Sequence, residues 1–350
     1  MNFSVGIIGL PNVGKSTLFN ALTQQEVNIS NYPFCTIDPN VGVVQVPDER
    51  LNKIAEIVKP QKTTPTIIEF VDIAGLVKGA HKGEGLGNQF LAHIREVDAI
   101  VHVVRSFTGE EIKHVEEGIN VQRDIEIVNT ELAMKDLETI DKHLIKLRSD
   151  IKDPSKKDVK QELEITQKIK KTLNEDKMIS QIDLNKKEKE IIKHLNFLTN
   201  KPVIYLINSR GTDKELEALK YLPENTMPLD LKLELELSEL SQEEIDELKL
   251  RPRIDVLIKT CYKILDLITF YTITGGEEAR AWTAKMGTLA PEAGGIVHTD
   301  FEEKFIRAEV INYKDLIECG SWHAAKTKGL IRTEGKPYII KDGDILEFKI

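Results

Sequence analysis

The feature that most constrains this chain is a nine-residue motif near its start, GLPNVGKST at positions 9–17, which matches the pattern G-x-x-x-x-G-K-[ST]. It follows an apolar run at 3–8 and opens a helical pattern at 15–22. A strand, a glycine-rich loop and a helix in that order point backbone N–H groups inward at a helix N-terminus, where they bind phosphate. The motif therefore predicts a P-loop nucleotide-binding domain.

The residue types of this loop predict separate tasks. Lys15 is expected to reach the β- and γ-phosphates and to act in catalysis, and the Ser16 hydroxyl is expected to ligate Mg²⁺. Asn12 is a candidate K⁺ ligand beside the phosphates, and an ordinary turn residue is the alternative. The residues of the loop expected to contact the nucleotide are Asn12, Val13, Gly14, Lys15, Ser16 and Thr17.

Two more elements fall where a nucleotide switch needs them. Asp72 and Gly75 form D-x-x-G after a predicted strand at 67–71, so Asp72 is expected to hold Mg²⁺ and the Gly75 N–H to meet the γ-phosphate. Thr36 lies in the loop between the first helix and the second strand, and it is expected to close over Mg²⁺ when the γ-phosphate is present. The glycine-rich segment after Gly75 predicts a lid or second switch.

Alternating apolar strands and helical segments before residue 131 predict a mainly parallel α/β sheet. Residues 131–195 have apolar residues spaced three and four apart, and Asn185 with Glu188 resembles a capping box, so we predict an inserted helical coiled-coil hairpin. A strand at 202–207 resumes the sheet. The last 80 or so residues predict a small α+β module, with a hairpin around Asp342-Gly343.

Composition excludes several classes of protein. Three separated cysteines exclude a disulfide framework and a C-x-x-C metal site and fit a reducing compartment, so a cytoplasmic location is expected. No apolar run approaches a membrane span, and the start lacks the features of a secretory signal. The net charge of −9 is segregated, because residues 131–195 carry 16 basic and 14 acidic side chains whereas 213–249 carry 4 and 12. The net charge therefore does not exclude an RNA partner, but the contact must be local.

The chain resembles the YchF family of Obg-like ATPases, a branch of the translation-factor class of P-loop GTPases. The resemblance rests on the P-loop at 9–17, NYPFCTIDPN at 31–40, DIAGLVKGAHKGEGLGNQF at 72–90 and, near the end, the segments at 281–311 and 334–344. It implies a G domain at 1–130 and 196–266, the helical insertion at 131–195, and a TGS module with a β-grasp fold at 267–350. It also implies ATP preference over GTP and association with the ribosome through its large subunit.

The group that orients the attacking water is not evident from the motifs alone. Leu76 stands where Ras-like enzymes have a glutamine, and its apolar side chain cannot orient water. The resemblance points to His114 as the catalytic group, since a neutral imidazole accepts a hydrogen bond from water. His81 is the nearest rival.

Base recognition is where the sequence departs from the pattern. GTPases end the corresponding strand with N-K-x-D and the family with N-x-x-E, but here the strand ends Asn208-Ser209-Arg210-Gly211. The missing Asp argues against GTP, and Asn208 and Ser209 are expected to contact adenine. Asp213 and Glu215 can substitute for the missing acid only if the loop bends back. The following segment, 228–234, alternates like an exposed strand.

These observations lead to one main hypothesis and two alternatives. We expect Mg²⁺-dependent hydrolysis of ATP, with GTP as a weaker substrate, in a ribosome-associated switch that contacts neither membrane nor DNA. The first alternative is a GTPase or dual-specificity nucleotide-gated module that binds the ribosome or RNA with negligible turnover. The second, a metabolic P-loop kinase, needs an acceptor-binding lid, and the predicted switches argue against it. The lysines of the insertion can either contact RNA phosphates or form a solvated helix face.

Overall fold

A computed structural model describes residues 3–24, 38–73, 86–107, 118–151, 159–211 and 222–350. In these residues the strands form two six-stranded sheets. Thr36, Gly75, His81, His114, Asp213 and Glu215 lie outside the described residues, and their predicted roles stay predictions.

The first sheet has the order β2-β4-β1-β5-β6-β7. Its pairs are parallel except β2 with β4, as expected for an α/β nucleotide-binding fold. Strands β4 and β5 flank β1, so the strand order reverses there, and ligands of such sheets bind beyond the carboxyl ends of the strands at this point. The strands are β1 (Ser4–Ile8), β2 (Val41–Gln45), β4 (Ile67–Asp72), β5 (Ala99–Arg105), β6 (Val203–Asn208) and β7 (Thr226–Leu229).

The predicted strands of this sheet are confirmed, because each apolar run is long enough to cross the core and is bounded by turn residues. Ile7 and Ile100, on neighbouring strands, are completely buried. Burying one such side chain stabilises the fold by about 1.5–3 kcal/mol. The helices that connect the strands of this sheet or follow its last strand are α1 (Lys15–Thr23), α2 (Glu49–Val58), α3 (Leu86–Glu96), α7 (Leu231–Ser238), α8 (Gln242–Leu248) and α9 (Ile254–Ile264).

The helical segment between β5 and β6 consists of α4 (Val121–Asp150), α5 (Val159–Asn174) and α6 (Lys186–Ile192), with three short 3₁₀ turns at 179–181, 193–195 and 198–200. The first part of α4 packs on the sheet, whereas Ile140 and Leu144 pack against Ile165 and Ile169 of α5. The capping box is confirmed, since Asn185 accepts from the Glu188 N–H at 3.0 Å and Glu188 accepts from the Asn185 N–H at 2.8 Å.

The second sheet has the order β11-β10-β12-β8-β9-β3. Its last strand, β3, comes from early in the chain and pairs in parallel with β9. The strands are β3 (Lys62–Thr64), β8 (Leu267–Thr274), β9 (Glu278–Lys285), β10 (Arg307–Asn312), β11 (Arg332–Glu334) and β12 (Asp344–Lys349). The accompanying helices are α10 (Ala290–Val297), α11 (Thr299–Glu303), α12 (Tyr313–Cys319) and α13 (Trp322–Thr327). The predicted α+β character of this region is confirmed.

The strand pattern inferred at 228–234 is wrong beyond Leu229, because α7 begins at Leu231. The Asp230 carboxylate accepts hydrogen bonds from the N–H groups of Lys232 and Leu233, both at 3.1 Å, and caps this helix. Leu231, Glu234 and Leu237 are its buried residues, and their spacing of three matches a helix. The cap and the burial of this face outweigh the local alternation.

The hairpin predicted around Asp342-Gly343 is also wrong, although a turn is present there. Strand β12 pairs with β10 and β8, and Ile339 instead forms an isolated bridge with Leu289. The Asp344 carboxylate accepts from the Lys341 N–H at 2.9 Å and the Tyr338 hydroxyl at 2.7 Å. These bonds stabilise the turn while long-range pairing selects the partners of β12.

None of the helices in the parts of the chain that the structure describes is long and apolar enough to cross a membrane.

Candidate active site

The loop between β1 and α1 depends on backbone conformations that favour glycine. Gly9 has φ +150° and Gly14 has φ +107°, and Asn12 between them has φ +62°. A Cβ on Gly9 would lie 2.4 Å from the Val103 carbonyl oxygen, and one on Gly14 would lie 2.6 Å from the Asn208 Nδ2. Both glycines are therefore required for this loop to pack against β5 and β6.

Lys15 is the first residue of α1 and its side chain folds back over the loop. Its ammonium donates hydrogen bonds to the carbonyl oxygens of Leu10 at 2.8 Å and Gly9 at 3.2 Å. Burial lowers the pKa of Lys15, and the charge of Asp72 opposes that shift. An ammonium has three N–H donors, and two of them bond these carbonyl oxygens. The third can bond an anion that lies in the loop.

Ser16 and Asp72 are brought together although 56 residues separate them in the sequence. Asp72 ends β4, beside the P-loop, and its carboxylate forms a hydrogen bond with the Ser16 hydroxyl. Burial raises the pKa of Asp72, while Lys15 and the Ser16 hydrogen bond oppose the rise. A hydroxyl and a carboxylate are the oxygen donors that Mg²⁺ prefers, so this pair fits the expected metal.

Asn208, the last residue of β6, contacts the P-loop, and Ser209 follows it. The Asn208 Nδ2 donates to the Val13 carbonyl oxygen at 3.0 Å, and its Oδ1 accepts from the Leu231 N–H at 3.4 Å. The Ser209 hydroxyl accepts from the Gly211 N–H at 3.3 Å. Asn208 thus joins the P-loop to β6 and α7, and the contact of Asn208 and Ser209 with a base stays a prediction.

The remaining predicted residues of the loop differ in exposure. Val13 is buried, so only its backbone can face a ligand, whereas Asn12 is exposed and Thr17 is half-buried. The left-handed backbone of Asn12 is one that asparagine adopts readily in turns. The K⁺ role of Asn12 stays a prediction beside this simpler one.

Sequence reasoning missed two features next to the site. His102 is buried in β5, where burial and then the charge of Lys15 lower its pKa to about 3, so its ring is neutral. Two guanidinium groups lie over the Phe107 ring, with the Arg105 Cζ 4.7 Å and the Arg210 Cζ 5.1 Å from its centroid. The apolar pattern of β5 concealed these polar residues, and only the tertiary structure brings Arg210 to Phe107.

Two of the lysines expected to contact RNA, Lys168 and Lys170, have acidic partners. Lys170 lies 2.5 Å from Asp141, and Lys168 lies 3.9 Å from Glu188. These pairs favour the interpretation of a solvated helix face for the two lysines.

Comparisons with known proteins match the whole chain. A family profile described as 50S ribosome-binding GTPase matches residues 4–142, and the YchF-GTPase_C profile, described as a protein of unknown function, matches 267–350. A protein of Bacillus subtilis (strain 168) named Ribosome-binding ATPase YchF is 45% identical and is covered over 99% of its length by 100% of this chain. A protein of the same name from Escherichia coli O157:H7 is 46% identical, with 99% of each chain covered.

A solved structure agrees with the fold. The YchF GTPase of Schizosaccharomyces pombe matches with a TM-score of 0.89 at 40% identity, covering 99% of this chain and 98% of that one. The similarity therefore extends over both sheets and the helical segment.

Proposed function

This chain belongs to the YchF family of P-loop nucleoside triphosphatases, and we propose that it hydrolyses ATP to ADP and phosphate with Mg²⁺, as a ribosome-associated nucleotide switch. The observation that carries the proposal is the convergence of Lys15, Ser16 and Asp72 at the end of β1 and β4. The relatives named Ribosome-binding ATPase YchF support the nucleotide and the partner.

In this proposal each residue has one task. The P-loop backbone, held in shape by Gly9 and Gly14, surrounds the phosphates with N–H donors. Lys15 neutralises charge that develops on the transferred phosphoryl group. Ser16 and Asp72 hold Mg²⁺, and Thr36 is expected to join them. When bound, the metal supplies Lewis-acid stabilisation of the phosphoryl oxygens.

The central test is the substitution Lys15→Ala, with Lys304→Ala, an exposed lysine of the second sheet region, as the matched control. Removing a positioned transition-state donor typically costs about 100- to 1,000-fold in kcat. We expect Lys15→Ala to lose ATP turnover by at least about 100-fold and the control to keep it. Equal turnover in the two variants contradicts the proposed site.

We propose that His114 orients the attacking water, because Leu76 cannot and the family resemblance points to His114. Single-turnover phosphate release by His114→Ala and His81→Ala, with nucleotide affinity measured separately, separates the two candidates. A positioned base contributes about 100- to 10,000-fold. A loss of less than about threefold in His114→Ala removes it from the mechanism.

The ATP preference rests on the absence of an acid at Gly211, where GTPases place the Asp that pairs with guanine. Competition of ATP and GTP against a labelled nucleotide tests it, and a clear GTP preference contradicts it. The same departure from N-x-x-E favours the alternative of a dual-specificity, nucleotide-gated binding module. Negligible turnover even with ribosomes present supports that alternative.

The partner and the monovalent ion need separate experiments. Cosedimentation with 50S subunits at rising salt tests ribosome association, and a contact with RNA phosphates weakens as the salt concentration rises.

Hydrolysis measured in K⁺ and in Na⁺ buffers tests whether Asn12 binds K⁺, and equal rates in the two buffers contradict a K⁺ role.

A further inference from the structure

A cluster of three metal-ligating side chains lies in the helical segment and is not used by the proposed hydrolysis. His143 of α4, Glu162 of α5 and His194 of the 3₁₀ turn at 193–195 place their ligand atoms within 4.8 Å of one another. The His143 Nε2 lies 2.8 Å and the His194 Nε2 lies 3.4 Å from the same Glu162 oxygen, Oε1. The three residues come from three separate elements and converge only in the folded chain.

The orientation of His194 is set by a second contact. Its Nδ1 lies 2.9 Å from the Ile191 carbonyl oxygen, and because a carbonyl oxygen only accepts, Nδ1 carries the proton. The Nε2 of the neutral ring then presents a lone pair toward the Glu162 carboxylate. Two electron-rich atoms facing each other are stable only with a cation between them or a proton on the ring. A histidine that ligates a metal is commonly held by such a bond from its other nitrogen.

We propose that His143, Glu162 and His194 form a binding site for Zn²⁺. Two imidazole nitrogens and one carboxylate oxygen suit Zn²⁺ rather than Mg²⁺ or Ca²⁺, which prefer all-oxygen sites. Bonds of about 2.0–2.1 Å place tetrahedral ligand atoms about 3.3 Å apart. The His194–Glu162 distance already matches this spacing, and His143 needs to move away from Glu162 by about 0.5 Å.

The burial of the three ligands fits a site that is held from inside and open to solvent. The side chains of His143 and Glu162 are 12% and 19% exposed, whereas that of His194 is 56% exposed. The ion therefore enters on the side of His194, where water occupies the fourth position. Binding through Nε2 places the proton of His143 on its Nδ1.

The site links elements that share one apolar core. Ile140 and Leu144 of α4, Ile165 of α5 and Ile192 of α6 belong to a single buried cluster. An ion that binds the folded chain and not the unfolded one stabilises the fold by mass action. Bound Zn²⁺ thus links α5 and the 193–195 turn to α4 and stabilises their packing.

The first experiment is calorimetric titration of the full chain with Zn²⁺ in millimolar Mg²⁺, which occupies the oxygen ligands of the nucleotide site. The test variant is His194→Ala, whose side chain is mostly exposed, and the matched control is His323→Ala, an exposed histidine of α13. Loss of an outer-shell partner alone costs about 10- to 100-fold in metal affinity. We expect His194→Ala to lose one Zn²⁺ site, with affinity reduced at least about 100-fold, and His323→Ala to keep it.

Glu162→Gln is the second variant, because glutamine preserves the size and shape of the side chain while removing its charge and one of its two acceptor oxygens. We expect it also to lose the Zn²⁺ site with unchanged far-ultraviolet circular dichroism. Zn²⁺ should raise the melting temperature of the wild type and not that of either variant. Unchanged Zn²⁺ affinity in both variants, or a wild type that binds no Zn²⁺ at this site, overturns the proposal and leaves a plain histidine–glutamate ion pair.

Discussion

At the residue scale, Gly14 connects the phosphate loop to the end of the sheet. Its left-handed backbone turns the chain into α1, and the space beside its Cα is filled by Asn208 and Leu231. The amide of Asn208 in turn holds the Val13 carbonyl oxygen. A side chain at position 14 would therefore disturb both the shape of the loop and its packing against the end of β6.

We predict that Gly14→Ala weakens nucleotide binding by about tenfold or more without unfolding the chain, because backbone strain of this kind costs about 1–3 kcal/mol. The measurement is nucleotide affinity by fluorescence titration. Gly287→Ala is the matched control, since Gly287 has φ +92° but nothing within 4 Å of its Cβ position. Equal affinities in both variants contradict the prediction.

At the element scale, a buried carboxylate of α4 holds the 3₁₀ turn at 198–200, which precedes β6. Asp136 of α4 accepts hydrogen bonds from the N–H groups of Leu198 and Thr199, at 2.9 and 2.8 Å, and from the Thr199 hydroxyl at 2.7 Å. Burial raises the pKa of Asp136, and these hydrogen bonds oppose the rise. The contact fixes the start of β6 relative to α4.

Replacing Asp136 with Ala leaves two buried N–H groups without this acceptor, and each unpaired group costs about 1–3 kcal/mol. We expect the free energy of unfolding in urea to fall by about 3 kcal/mol. Asp141→Ala on the same helix is the control, because its ion pair with Lys170 is exposed and such pairs contribute about 0–1 kcal/mol. A loss of under 1 kcal/mol in Asp136→Ala contradicts the argument.

Helix α7 depends on its cap in a similar but smaller way. Asp230→Ala removes the acceptor for two N–H groups, and loss of such a cap costs about 1 kcal/mol. We expect a matching decrease in unfolding free energy, whereas Lys232→Ala, whose side chain is 84% exposed, should change it little. If the two variants are equally stable, the cap does not explain why this segment is helical.

At the scale of the whole molecule, a polar cluster connects α2 to the second sheet. The Asp48 carboxylate accepts from Arg50 Nε at 2.8 Å and from the Tyr271 hydroxyl of β8 at 2.5 Å, and Arg50 Nη1 contacts Asp342 at 2.6 Å. Burial alone would raise the pKa of Asp48, but the hydrogen bonds from Arg50 and Tyr271 outweigh it and lower the pKa.

A carboxyl group with a lowered folded pKa contributes stability above its unfolded value of about 3.9, and that contribution is lost as the pH falls through the folded pKa. We therefore expect Asp48→Asn to be about 2 kcal/mol less stable at neutral pH, the scale of hydrogen bonds to charged groups. Below pH of about 4 the difference from the wild type should shrink.

Urea unfolding at several pH values measures this difference, with Glu56→Gln, an exposed residue of α2, as the control. If the difference in unfolding free energy between Asp48→Asn and the wild type stays the same at acidic pH, the ionised Asp48 carboxylate is not the source of this stability.

Local sequence determined the features whose partners are close along the chain. The P-loop lies within nine residues, the Asn185–Glu188 cap spans three, and the apolar runs of the first sheet predict their own strands, because short-range backbone geometry and burial act together there. These signals, with the family resemblance, were enough to predict the fold class correctly and to propose the nucleotide site.

Only the tertiary structure decided the contacts between distant segments. Asn208 meets Val13 across 195 residues, β3 joins the second sheet, and His143, Glu162 and His194 converge from three elements. The alternation of apolar and polar residues at 228–234 predicts a strand, but the chain is helical from Leu231. In each case, the outcome depends on burial and hydrogen bonding between groups far apart in sequence, and no local pattern encodes which distant surface will supply the partner.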